Sequence, residues 1–199
     1  MTTQALEDAK ATDQVFTQYD RTWEQFKHIQ KGLEGSPGVR LAFYDGVVEI
    51  LMPGQAHEIF RKIIGFLLEM FFFEKGINVV PTGSVTQELD GEASAQADES
   101  YCFGAAKLIP DLSIEVIFTS GSVAKLKRYQ ALGVPEVWFW QDGLLTLYRL
   151  GDGGYRQIER SQFLELSELD LALFTRCILM GETSWLGAAT EFRKGLGVV

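Results

Sequence analysis

The stretch ADESYCFGAAKLIPDLSIEVIFTSGSVAKLKRY, residues 97–129, decides how the chain reads. DESYCF and IPDLSIEVI have strand character, the first through aromatic and polar alternation and the second through β-branching, with GAAKL as a hairpin connection. An antiparallel pair about a turn centred near Ala106 and Lys107 sets Asp98 opposite Glu115. Directly opposed Cα atoms lie about 4.5–5.5 Å apart, so these two carboxylates can share one cation. Lys125 follows on the next element. Two acids and a lysine are the smallest set for metal-assisted cleavage of a phosphodiester: carboxylates hold the hard cation and an ammonium stabilises developing charge. Asp111, in the literal Pro110-Asp111 pair, precedes Glu115 by roughly 13 Å along one strand and cannot clamp the same ion.

Glu115 is the more telling acid because it interrupts the apolar run LSIEVIF, where a charge is costly unless paired or metal-bound. The plainer alternatives are an ion pair of Glu115 with Lys125 and a solvated Asp98 at a strand start. Periodicity predicts a helix over 122–132, on which Lys125 and Lys127 stand about 200° apart, so only one faces the site. Tyr129 either orders Lys125 or packs. Trp138 and Trp140 alternate with Phe139 and read as sheet packing, not as a base-stacking platform.

Working outward, residues 1–19 are polar and expected to be flexible. Thr22 to Gln25 carries a capping-box signature for a short helix to about Lys31. VRLAFY and VVEILM flank Asp45-Gly46, a hairpin signal, and a long helix is predicted from about Gln55 to Lys75. Its apolar stripe is too wide for one face, which predicts burial on two sides or a partner subunit. INVVP and SVTQEL read as strands, DGEASAQA as a loop entering the Asp98 strand, and VPEVWFWQ, LLTLYRL and YRQIER as further strands. The tail from Ser167 to Leu196 reads as two helices broken near Gly181. The fold class is therefore α/β (α+β): a mixed β-sheet with flanking helices and an N-terminal β-hairpin, in a single domain over 20–199 with a C-terminal helical extension.

With 18 basic and 27 acidic side chains, the net charge of −9 opposes general duplex binding, which draws on basic surface. Arg61, Lys62, Lys107, Lys125, Lys127 and Arg128 could still form a local basic patch. Two cysteines supply neither a disulfide framework nor metal-ligand spacing. That usage, the lack of a secretory pattern and the lack of a span-length apolar run predict a cytoplasmic protein with no membrane partner.

The runs RLAFYDGVVEILMPGQAHE, QADESYCFG, PDLSIEV and KLKRYQALGVPEVWFW resemble the Uma2 (DUF820) family, common in cyanobacteria, of the PD-(D/E)XK restriction-endonuclease-like superfamily; the likeness covers about residues 20 to 180. The resemblance implies a restriction-endonuclease-like fold and a metal-dependent endonuclease using Mg²⁺ or Mn²⁺ on nucleic acid. It implies Asp98 and Glu115 as metal ligands, with the Val116 carbonyl as a third. The superfamily lysine two residues after the second acid is replaced here by Ile117, and Lys125, four residues before Tyr129, matches a lysine moved to the next helix, with Lys127 as its competitor. It places His57 in the site region and offers Glu58 as another acid near the metal. The departure at position 117 and the acidic charge keep two alternatives open: a catalytically silent homo-oligomeric binding or scaffold protein, and a hydrolase of a small phosphoester. The wide apolar helix and tail predict a homodimer.

Overall fold

The computed structural model describes residues 12–118 and 122–197 of the protein. Its first strand, β1 (Gln14–Gln18), pairs antiparallel with a hairpin further on, so the expected flexible segment 1–19 does not extend through these residues. Val15, Phe16 and Thr17 favour a strand, and pairing with β3 orders a stretch too short to stand out within the polar N-terminal segment. Residues 1–11 lie outside the described residues. Helix α1 (Trp23–Gly32) begins with the capping box: Thr22 Oγ1 accepts from the Gln25 amide, and the Gln25 side chain accepts from the Thr22 amide.

Strands β2 (Arg40–Tyr44) and β3 (Val47–Met52) form the expected hairpin. Asp45 and Gly46 both have positive φ, 48° and 75°, as a two-residue turn matched to strand twist requires. Helix α2 (Gln55–Glu74) follows. It buries Phe60, Ile63, Ile64, Leu67, Leu68, Phe71 and Phe72, more than one face can hold. The explanation lies within the chain, because α2 packs on the main sheet on one side and on the C-terminal helices on the other. Gly65 allows the approach: a Cβ there would stand 3.1 Å from the Glu99 carboxyl.

The remaining strands are β4 (Val79–Pro81), β5 (Thr86–Leu89), β6 (Ala93–Gln96), β7 (Glu99–Phe103), β8 (Leu112–Ile117), β9 (Glu136–Gln141), β10 (Leu144–Gly151) and β11 (Gly154–Ile158). They divide between two sheets rather than one. The smaller has the order β1-β3-β2-β6-β5, and the larger β11-β10-β9-β8-β7-β4. The turn at Thr82-Gly83, between β4 and β5, thus crosses from one sheet to the other. Among the described strands only β8 and β9 run parallel, and helix α3 (Ser122–Leu132) supplies the crossover that a parallel pair needs.

Strand β6 lies in the segment expected to be a loop. Alanine and serine carry little strand propensity, but small side chains let α3 approach the sheet closely. Ala93, Ala95 and Ala97 are fully buried in one cluster with Tyr129, Leu132 and Phe139. Helices α4 (Leu171–Gly181) and α5 (Trp185–Gly195) close the far side, broken near Gly181 as predicted. No helix among the described residues is long and apolar enough to cross a membrane. Cys102 and Cys177 are buried and free.

Candidate active site

Strand β7 pairs antiparallel with β8 in the register Glu99↔Ile114, Ser100↔Ser113 and Tyr101↔Leu112. One further step in that register sets Asp98 against Glu115. Asp98 itself stands just outside the strand, with its amide donating to the Ile114 carbonyl at 3.0 Å. Both side chains are buried, at 1% and 2% residual exposure.

Each acid is held by a separate set of donors. Glu115 Oε2 accepts from Lys125 Nζ at 2.6 Å, and Oε1 accepts from the Tyr129 hydroxyl. Lys125 and Tyr129 are one helical turn apart on the inner face of α3, while Lys127 points outward and is exposed. Burial alone would push the Glu115 carboxyl up. Lys125 and Arg128, with the hydrogen bonds from Lys125 and Tyr129, hold it below the usual carboxylate value. Burial, and then the Glu115 charge, raise the Tyr129 phenol well above its usual value, so it stays a donor. Tyr129 is a bonded member of the site rather than packing alone.

Asp98 Oδ2 accepts from the Val116 amide at 2.5 Å, which ties it to the residue after Glu115. Its Oδ1 meets His57 Nε2 at 2.8 Å and pairs with the Arg40 guanidinium. The other ring nitrogen, His57 Nδ1, meets Asp13 Oδ2 at 2.8 Å, and Asp13 Oδ1 accepts from the Gly54 amide at 2.8 Å. Burial raises the Asp13 carboxyl, but the bonds from His57 and Gly54 more than offset it and leave it below its usual value. His57 is thus held between two carboxylates and orients Asp98. Glu58 accepts from Arg40 at 2.7 Å and from Arg61 at 2.8 Å, so both of its oxygens face guanidinium groups.

Asp13 and Arg40 escaped the sequence reading. Asp13 sits in a polar stretch 44 residues from His57, with nothing local to mark it. Arg40 had a faint signal, a cation opening the apolar hairpin strand RLAFY. The structure places it against two acids, paired with Asp98 and with Glu58. Asp111 accepts from the Phe103 amide at 2.8 Å and from Lys107, away from the two site acids, as its spacing predicted.

Hard carboxylate oxygens on neighbouring strands are donors that suit Mg²⁺ or Mn²⁺, and Mg²⁺ is commonly held by one or two carboxylates plus water and substrate phosphate. The donor set fits such an ion, with Arg40 having to release Asp98 to admit it. Among the described residues, no group of three or more His, Cys, Asp or Glu side chains is arranged to hold a metal on its own.

No curated protein matches the sequence significantly. Among solved structures, the chain is similar in fold to a crystal structure described as a "putative nuclease belonging to DUF820" from Anabaena variabilis. Identity is 13% and the TM-score 0.50, over 72% of this chain and 87% of that one. The two-sheet α+β architecture is accordingly restriction-endonuclease-like. The family model described as "Putative restriction endonuclease" matches residues 23–177, and the chain belongs to the Uma2 family.

Proposed function

We propose that the protein is a Mg²⁺- or Mn²⁺-dependent endonuclease that hydrolyses phosphodiester bonds in nucleic acid. The observation that carries this reading is the pair of buried acids, Asp98 just before β7 and Glu115 on β8, with Lys125 at 2.6 Å from the second. Asp98 and Glu115 would be the ion's ligands, with the Val116 carbonyl as a third oxygen. When bound, the ion supplies Lewis-acid polarisation of the phosphate and lowers the pKa of an attacking water.

The chain's own groups do the rest. Val116 and His57 fix the two Asp98 oxygens, so the carboxylate does not rotate. Tyr129 holds the Glu115 oxygen that Lys125 does not. The Lys125 ammonium spends one donor on Glu115 and keeps two N–H groups, which can orient a water or meet negative charge developing on the phosphate oxygens. Lys127, exposed on the opposite face, takes no part.

Asp98→Ala and Glu115→Ala are each expected to abolish metal-dependent nicking of plasmid DNA. Undiminished turnover in either purified variant would overturn the assignment. A second reading, a catalytically silent scaffold, is favoured by one observation: every Asp98 and Glu115 oxygen already has a protein donor, Arg40 included. Failure to bind Mn²⁺ at all would select it. Homodimerisation through the outer side of α2, where Phe73 is exposed and Phe66 stacks on Trp185 at 4.7 Å, belongs to the same proposal. A monomer by light scattering at micromolar concentration would remove it.

A further inference from the structure

The start of β2 and the first turns of α2 border a cleft of about 270 Å³, lined by Arg40, Glu58, Arg61, Ser84 and Gln96 among others. Two guanidinium groups there grip one carboxylate, Arg40 Nη2 on Glu58 Oε1 and Arg61 Nε on Glu58 Oε2. The side chains differ in burial. Arg40 and Arg61 are 12% and 15% exposed, and Glu58 is 41% exposed. The arginines are also anchored from within, Arg40 by Asp98 and Arg61 by Glu99 at 2.8 Å. They form part of the wall, whereas the carboxylate lies at the mouth.

Two anchored forks aimed at two oxygens of one anion also suit the two non-bridging oxygens of a phosphodiester, for which planar guanidinium donors are well matched. An ion pair as exposed as Glu58 contributes little stability, so an incoming anion displaces it at small cost. The inner anchor of Arg40 is Asp98, so an anion held here adjoins the acidic pair. Val39 and Gln96 line this cleft and also a second one of about 530 Å³ that continues to Lys27 and Lys31. A path extending past the first anion site suits a polymer better than a small phosphoester.

We infer that Arg40 and Arg61 form a phosphodiester clamp for a nucleic acid strand, and that Glu58 fills the clamp when no strand is bound. The inference rests on the endonuclease reading for its substrate class and reassigns Glu58 from metal ligand to stand-in anion.

The test is binding of a fluorescein-labelled oligothymidylate, followed by anisotropy in EDTA across a salt series, with plasmid nicking in Mn²⁺ measured on the same preparations. Removing a competing charge or a charged donor changes a contact by an amount equivalent to about tenfold in affinity. Glu58→Gln is expected to bind about tenfold tighter, a gain that misfolding cannot produce. Arg61→Gln, checked for folding by thermal melting, is expected to lose about tenfold and to reduce the salt slope by about one. Unchanged or weaker binding by Glu58→Gln, or unchanged binding by a folded Arg61→Gln, overturns the clamp even if the wild type nicks DNA. Tighter binding by Glu58→Gln with no nicking by the wild type supports the clamp and overturns the endonuclease reading instead.

Discussion

The two ends of the β7–β8 pair both carry an aspartate or glutamate bonded to a lysine, and they differ in almost everything else. At the connecting end, Asp111 ties the Phe103 amide and Lys107, whose side chain is 45% exposed. The partners are close in sequence, and the result is a fastened loop. At the open end, Asp98 and Glu115 are buried, and their side-chain partners come from β2, α2 and α3, with Asp13, before β1, holding His57 from behind. A pair of charges buried by three distant elements is expensive to maintain. The contrast teaches that the residue pair alone says little, whereas the number of separate elements that converge on it separates a site from a brace.

Breaking this contrast should give effects of graded size. The largest is expected at Glu115: Glu115→Ala leaves the buried Lys125 with only the half-buried Glu49, 4.0 Å away and shared with Arg128 at 3.6 Å, and urea denaturation should report a loss of roughly 3 kcal/mol. Tyr129→Phe removes one hydrogen bond to a buried carboxylate and should cost about 1–3 kcal/mol in the same measurement. Asp111→Ala, at the opposite end, removes an acceptor from the Phe103 amide and should cost about 1–2 kcal/mol with nicking retained. Lys107→Ala should cost under about 1 kcal/mol because its pair is half open to water.

Acid sharpens the same comparison. Asp13 and Glu115 titrate below their ordinary values of 3.8 and 4.5, so the stability they add is complete above those values and is lost as pH falls through their folded-state values. Glu99, raised chiefly by burial and only partly offset by Arg61, works in the opposite sense: its contribution is present at low pH and is lost as pH rises through its folded-state value. Melting temperature should therefore fall on acidification below about pH 4.5, and Asp13→Asn should flatten that fall while leaving the small Glu99 trend. An identical slope in wild type and Asp13→Asn would show that the Asp13–His57 contact adds nothing.

The part of this site carried by local pattern was legible in the sequence. The register that aligns Asp98 with Glu115 follows from the symmetry of the strand pair about its turn, and helical geometry sets Lys125 and Lys127 on different faces; both depend on short stretches, whereas the choice of Lys125 came from the family resemblance. The hairpin, the capping box and the break near Gly181 belong to the same class. Arg40 and Asp13 were not legible because their partners lie in other elements, and no spacing rule links an arginine on a hairpin to an acid before β7. β6 was hidden for another reason: its small residues serve the close approach of α3, a tertiary demand that overrides strand propensity. The division into two sheets was hidden likewise, since the turn at Thr82-Gly83 has the same sequence signature whether its strands pair or part.

The most direct test of the central claim is a calorimetric titration of Mn²⁺ into the wild type and Asp98→Ala, with plasmid nicking followed in the same samples. The account predicts saturable binding and nicking in the wild type, with both lost in the variant. Nicking that persists in Asp98→Ala, or a wild type that neither binds Mn²⁺ nor nicks, would contradict it.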